Sequence, residues 1–63
     1  MIKLNGKEKP DCKNIDTLLG EHQYNRKRVA VLVNGEIVKR DDWADFDLNP
    51  GDEVDVVTFV GGG

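Results

Sequence analysis

The sequence predicts an α+β domain in which a mixed four- to five-stranded sheet wraps one short helix. Three observations carry that expectation. Asn-Gly occurs twice, at Asn5-Gly6 and Asn34-Gly35, each time after apolar, strand-forming residues. One apolar stripe at helical spacing, formed by Ile15, Leu18 and Leu19, lies between the two pairs. An alternating run follows the turn signal Asn49-Pro50-Gly51-Asp52.

The elements follow in order. Asn-Gly is the favoured centre of a two-residue type I′ turn, because both positions need φ > 0 and these two residues tolerate it best. The first pair follows Ile2-Lys3-Leu4, so the chain is expected to open with a hairpin. Its second arm, Lys7-Glu8-Lys9, is polar and stops at Pro10, which suits an edge strand. Asn14 can cap the helix that follows, and Asp16 in its first turn faces the positive end of the helix dipole. Ile15, Leu18 and Leu19 fall at i, i+3 and i+4 and give one buried stripe. Gly20 weakens the interior, so a helix of about two to three turns is expected. Arg26-Lys27-Arg28 reads as a solvated loop leading to Val29-Ala30-Val31-Leu32-Val33. That continuous apolar run predicts a central strand covered on both faces, returning through Asn34-Gly35 into Glu36-Ile37-Val38. Lys39 to Trp43 reads as a single helical turn that carries Trp43 inward. After Pro50-Gly51, Val54, Val56 and Thr58 alternate with Asp55, Val57 and Phe59, a last strand of about seven residues. Placing that strand beside the first lets the sheet wrap the helix. Leu18, Leu19, Val31, Val33, Val54 and Val56 are the expected core.

Length and charge exclude several functions. At 63 residues the chain has room for one thin core and hardly any for a deep walled cavity, so it is expected not to be an enzyme. Acids outnumber bases by 12 to 9, for a net charge of −3, and nucleic-acid binding normally needs a basic stripe. No apolar stretch approaches the ~20 residues of a membrane span, and the N-terminus does not read as a signal peptide. With Cys12 alone no internal disulfide can form, which suits a cytoplasmic protein.

Few side chains suggest chemistry. Cys12 reads as a small, half-buried apolar filler rather than a sulfur-bearing group. His22 has no second His or Cys at ligand spacing, and a Cys12–His22 nucleophile pair would need a cleft this chain can hardly build. Trp43 reads as core, and Asp41, Asp42, Asp45 and Asp47 as a solvated face. Strand alternation is more informative at the other end. If Val54 and Val56 face the helix, Val57 and Phe59 face away from it, and one helix cannot cover both sides of the sheet. Val57 and Phe59, with the apolar Val60 just before the tail, are the candidate partner-docking residues, with Phe59 folded back as core the alternative.

The chain ends Val60-Gly61-Gly62-Gly63. Glycines bury no side chain and lose the most conformational entropy on ordering, so they add nothing to a fold. The expected division is a single domain over residues 1–60 and a flexible, reactive tail over residues 61–63. A carboxylate on a stem without Cβ atoms can enter a narrow channel, and its carbonyl is open to acyl transfer.

Gly51-Asp52-Glu53-Val54 opening the last strand and Gly62-Gly63 closing a chain of this length resemble the ubiquitin-like β-grasp sulfur carriers, ThiS-type in particular. Asn34-Gly35-Glu36-Ile37-Val38 with Arg40 and Trp43 adds to the resemblance. Gly61 extends the minimal diglycine by one residue. The resemblance implies a carrier for thiamine thiazole biosynthesis that binds no cofactor. In it a ThiF-type enzyme uses ATP and magnesium to adenylate the terminal glycine, here Gly63. A persulfide then supplies sulfur to form a thiocarboxylate, and a ThiG-type thiazole synthase takes that sulfur. The alternatives are a MoaD-like donor to molybdopterin, a protein tag, or a β-grasp interaction module without covalent chemistry.

Overall fold

A computed structural model of the chain describes residues 1–60. The first hairpin joins β1 (Ile2–Leu4) to β2 (Lys7–Lys9), with Ile2 opposite Lys9 and Leu4 opposite Lys7. Asn5 and Gly6 take φ of 52° and 82°, the doubly left-handed pair of a type I′ turn. Strand β2 lies at one edge of the sheet, where Lys7, Glu8 and Lys9 blunt it against further pairing.

Helix α1 (Ile15–Glu21) is a two-turn element. The Asn14 side-chain oxygen accepts from the Thr17 N–H at 2.8 Å and satisfies one orphan donor. Ile15, Leu18 and Leu19 are fully buried. The helix ends in a Schellman reversal, with Gln23 N–H donating to Gly20 O and Tyr24 N–H to Leu19 O at 2.9 Å. The left-handed residue there is Gln23, at φ 59°, so the one glycine of the segment does not mark the helix end.

The basic run is better ordered than a solvated loop. Arg26–Arg28 forms a 3-10 turn, with Asn25 Oδ1 accepting from the Lys27 N–H at 2.9 Å. It feeds β3 (Val29–Val33), which returns through a second type I′ turn at Asn34-Gly35 into β4 (Glu36–Val38). A further 3-10 turn, Arg40–Asp42, delivers Trp43 into the core. The Trp43 indole N–H donates to Val38 O at 2.9 Å, and its own carbonyl accepts from Asp16 N–H. The last strand, β5 (Glu53–Thr58), is six residues long, one fewer than expected, and Thr58, opposite the buried Val29, is exposed.

The sheet order is β2-β1-β5-β3-β4. Strand β5 runs through the middle, parallel to β1 and antiparallel to β3. This corrects the reading of Val29–Val33. Strand β3 lies one position in from an edge, and only Val29, Val31 and Val33 are buried, while Ala30 and Leu32 are half-exposed. One helix covers one face of the sheet, so the apolar run is open on the other.

Core positions expected from alternation are buried on the helix side: Leu18, Leu19, Val31, Val33, Val54 and Val56. Ile2, Leu4, Val29 and Leu48 join them. The turn asparagines have a second role that spacing does not reveal. Asn5 Oδ1 accepts from Val56 N–H at 2.8 Å, and Asn34 Oδ1 accepts from Glu53 N–H at 3.0 Å. Both hairpin turns thus clip onto β5, one from each of its flanking strands. Asn5→Gly keeps the left-handed turn and leaves Val56 N–H without its acceptor, so a loss of about 1–3 kcal/mol is expected. Urea unfolding measures it, and an unchanged midpoint would show that the clip contributes nothing.

Candidate functional site: an apolar face at the root of the tail

The face of the sheet away from α1 collects the apolar side chains that the helix cannot cover. Strand register assigns them. Ala30 lies opposite Val57, and Leu32 lies opposite both Asp55 and Ile37, so all five share that face. Exposure is 73% at Ile37 and 53% at Val57. Beyond the strand, Phe59 is 39% exposed and Val60 87%. The expected docking residues Val57, Phe59 and Val60 are therefore at the surface, while part of Phe59 is packed. Ile37, Leu32 and Ala30 extend the patch and were not anticipated. Their signal was the unbroken run through β3, which one helix could not have covered twice.

The root of the tail is held against the basic turn. Phe59 N–H donates to Arg28 O at 2.9 Å, which extends the β3–β5 ladder one residue past the strand. That turn is tied in its own right. Arg26 Nε meets Asp16 Oδ1 at 2.6 Å, and its Nη2 donates to the Asp16 carbonyl oxygen at 2.9 Å. The guanidinium passes over Gly20, where an added Cβ would lie 3.3 Å from Nη2. A side chain at position 20 would need that guanidinium to shift by a few tenths of an ångström. Gly61, Gly62 and Gly63 lie outside the described residues.

The remaining candidates gather no reactive set. Cys12 is buried, more deeply than expected, with its sulfur 3.8 Å from Pro10 O and 4.0 Å from a Glu21 carboxylate oxygen. Burial first, then the charges of Glu21 and Asp11, raise its pKa and keep it a thiol. A buried, protonated thiol is a poor sulfur acceptor. Trp43 is core, with the Arg40 guanidinium 6.0 Å from its ring centroid. Asp41, Asp42, Asp45 and Asp47 are exposed, as expected. A cleft of about 610 Å³ lies along β4 between Ile37 and Phe46 and is lined by no His, Cys or Ser. Among the described residues no three His, Cys, Asp or Glu side chains converge as a metal site, and no helix is long and apolar enough to cross a membrane.

Comparison with known proteins places this geometry. The ThiS family model matches residues 2–63. The chain is similar to the sulfur carrier protein ThiS of Bacillus subtilis, 38% identical over 66 residues that span all of both chains. It is also 37% identical, over 98% of its length, to part of a thiazole synthase of Paramagnetospirillum magneticum. The chain spans 20% of that longer protein. Among solved structures it resembles the crystal structure of the thiamine biosynthesis protein ThiS from Geobacter metallireducens, with a TM-score of 0.81 and 30% identity. That match covers 98% of this chain and 97% of the other. The solution structure of a thiamine biosynthesis protein from the same organism gives a TM-score of 0.78 at 30% identity, covering 98% of this chain and 86% of the other. The five-stranded sheet around one helix is thus the ubiquitin-like β-grasp, and the chain belongs to the ThiS family.

Proposed function

We infer that this chain is a sulfur carrier for thiamine thiazole synthesis, with the carboxylate of Gly63 as its sulfur-bearing group. The observation that carries the reading is the end-to-end match with the Bacillus carrier, together with a family match that runs through residue 63. The same match favours the ThiS-type carrier over the MoaD-like donor and the non-covalent module. The chemistry belongs to partners, and the carrier acts as co-substrate in the cytoplasm. A ThiF-type enzyme with ATP and magnesium lets the Gly63 carboxylate attack the α-phosphorus, releasing pyrophosphate and leaving an acyl-adenylate. A persulfide sulfur attacks the acyl carbon and AMP leaves. A thiol then reduces the resulting acyl disulfide, and the thiocarboxylate remains. The likeness to part of a thiazole synthase supports a ThiG-type synthase as the sulfur acceptor.

In this reading the carrier's own residues bind and orient. The exposed apolar side chains of Val57 and Ile37, with Phe59 and Val60 beyond the strand, dock on the adenylating enzyme and aim the glycine tail into its channel. The test is carrier-dependent pyrophosphate exchange by a cognate ThiF-type enzyme. The double variant Ile37→Ser with Val57→Ser is expected to raise KM for the carrier about tenfold or more, with an unchanged melting temperature. Phe59→Ala is expected to weaken docking too, at a stability cost of about 1–2 kcal/mol for its packed portion. If Phe59→Ala loses several kcal/mol of stability while KM per folded molecule stays put, Phe59 is core and does not dock.

A further inference from the structure

Resting on that reading, we propose that Lys27 and Arg28 form a cationic docking corner at the root of the tail, matched to an acidic rim around the channel of the adenylating enzyme. The observation behind this is a juxtaposition. The chain is acidic overall, yet three of its nine basic residues stand together in the 3-10 turn whose last carbonyl holds Phe59. Arg26 is committed to Asp16. Lys27 and Arg28 are exposed and make no ion pair among the described residues.

The turn presents those two charges from a fixed place. Asn25 caps it, Arg26 clamps it to the helix, and Arg28 O is bonded to the strand extension. Two cations on a tied turn lose less freedom on binding than cations on a loose loop would. Geometry then brings the partner to them. From Phe59 to Gly63 there are four residue steps, which span at most about 14 Å. Any enzyme that reacts with the Gly63 carbonyl must therefore bring its channel mouth close to Phe59, and so up against the turn. Charges there lie within about one or two Debye lengths of the partner surface, near 8 Å each at physiological salt. Two uncompensated positive charges favour a negative surface at that contact, for encounter rate and for register.

A channel mouth is a protein surface, and the other anion within reach is the triphosphate of ATP. The two predict different kinetics. Cations that meet a protein rim act on association, and cations that meet phosphate act on the adenylation step.

The experiment is pyrophosphate exchange by the cognate adenylating enzyme with three full-length carriers: wild type, Lys27→Glu with Arg28→Glu, and Lys7→Glu with Lys9→Glu on the opposite edge strand. The two variants change net charge equally. The expected result is a KM for the carrier raised about tenfold or more in the Lys27/Arg28 variant alone, with kcat unchanged. Wild-type kcat/KM should also fall with added salt, and that dependence should flatten in the variant. A neutral variant, Lys27→Gln with Arg28→Gln, should lie between. The inference is overturned if the Lys27/Arg28 and Lys7/Lys9 variants behave alike. It is also overturned if kcat or the KM for ATP changes while the KM for the carrier does not, since the cations would then serve the nucleotide. Absence of exchange with wild type overturns the carrier reading and this inference with it.

Discussion

Deletion of Gly63 is expected to reduce adenylating-enzyme-dependent pyrophosphate exchange at least about 100-fold while the melting curve stays unchanged. One residue fewer withdraws the carboxylate by roughly 3.3–3.6 Å, several times the ~1 Å displacement that already costs two orders of magnitude in an aligned reaction. Gly61 sharpens the experiment, because the truncated chain still ends in a diglycine and any loss reflects reach alone. Appending one residue after Gly63 should abolish exchange as completely, since the reacting carbonyl is then locked in an amide. Gly62→Val should impair exchange through bulk in the channel without altering the circular dichroism spectrum. Full exchange by both the deletion and the extended protein would contradict the role given to Gly63.

The second large effect concerns stability. Trp43→Ala is expected to cost about 3–5 kcal/mol, and Leu18→Ala about 2–5 kcal/mol. Trp43 is 3% exposed and Leu18 fully buried, in a core built from a single helix against one sheet face. Trp43→Ala also strips Val38 O of the indole donor. Domains carry about 0.05–0.15 kcal/mol per residue of net stability, so either loss is comparable to the whole for a chain this short. Urea unfolding followed by circular dichroism is the measurement. A Trp43→Ala protein within about 1 kcal/mol of wild type would mean that the indole is not the core anchor its burial indicates.

What the sequence disclosed followed the range of the interactions involved. Both Asn-Gly turns, the Asn14 cap and the Pro50-Gly51 turn depend on neighbours within a few positions and were readable as written. So was the inward face of β5, because alternation over six residues leaves one register that buries Val54 and Val56. The Asn5 bond to Val56 was not readable, since its partners are 51 positions apart. Nor was the clamp of Arg26 on Asp16, which turned a supposed solvated run into a tied turn. The misreading of Val29–Val33 has a physical cause of the same kind. An unbroken apolar run signals burial on both faces only if something covers both, and one helix covers one. The uncovered side chains of Ala30 and Leu32, with Ile37 on β4, extend the candidate docking face. At the candidate site, Val57 and Phe59 followed from strand alternation and Val60 from its place before the tail, whereas the cationic corner beside them required knowing that Phe59 bonds to Arg28.

Intact-protein mass spectrometry shows whether Gly63 carries sulfur. The full-length chain is incubated with a cognate ThiF-type adenylating enzyme, ATP, magnesium, a persulfide donor and a thiol. The expected product is a carrier whose mass rises by the replacement of one oxygen with sulfur, localised by fragmentation to Gly63 and absent when ATP is omitted. An unmodified chain under these conditions, or sulfur found on Cys12 instead, would contradict a sulfur-carrying Gly63.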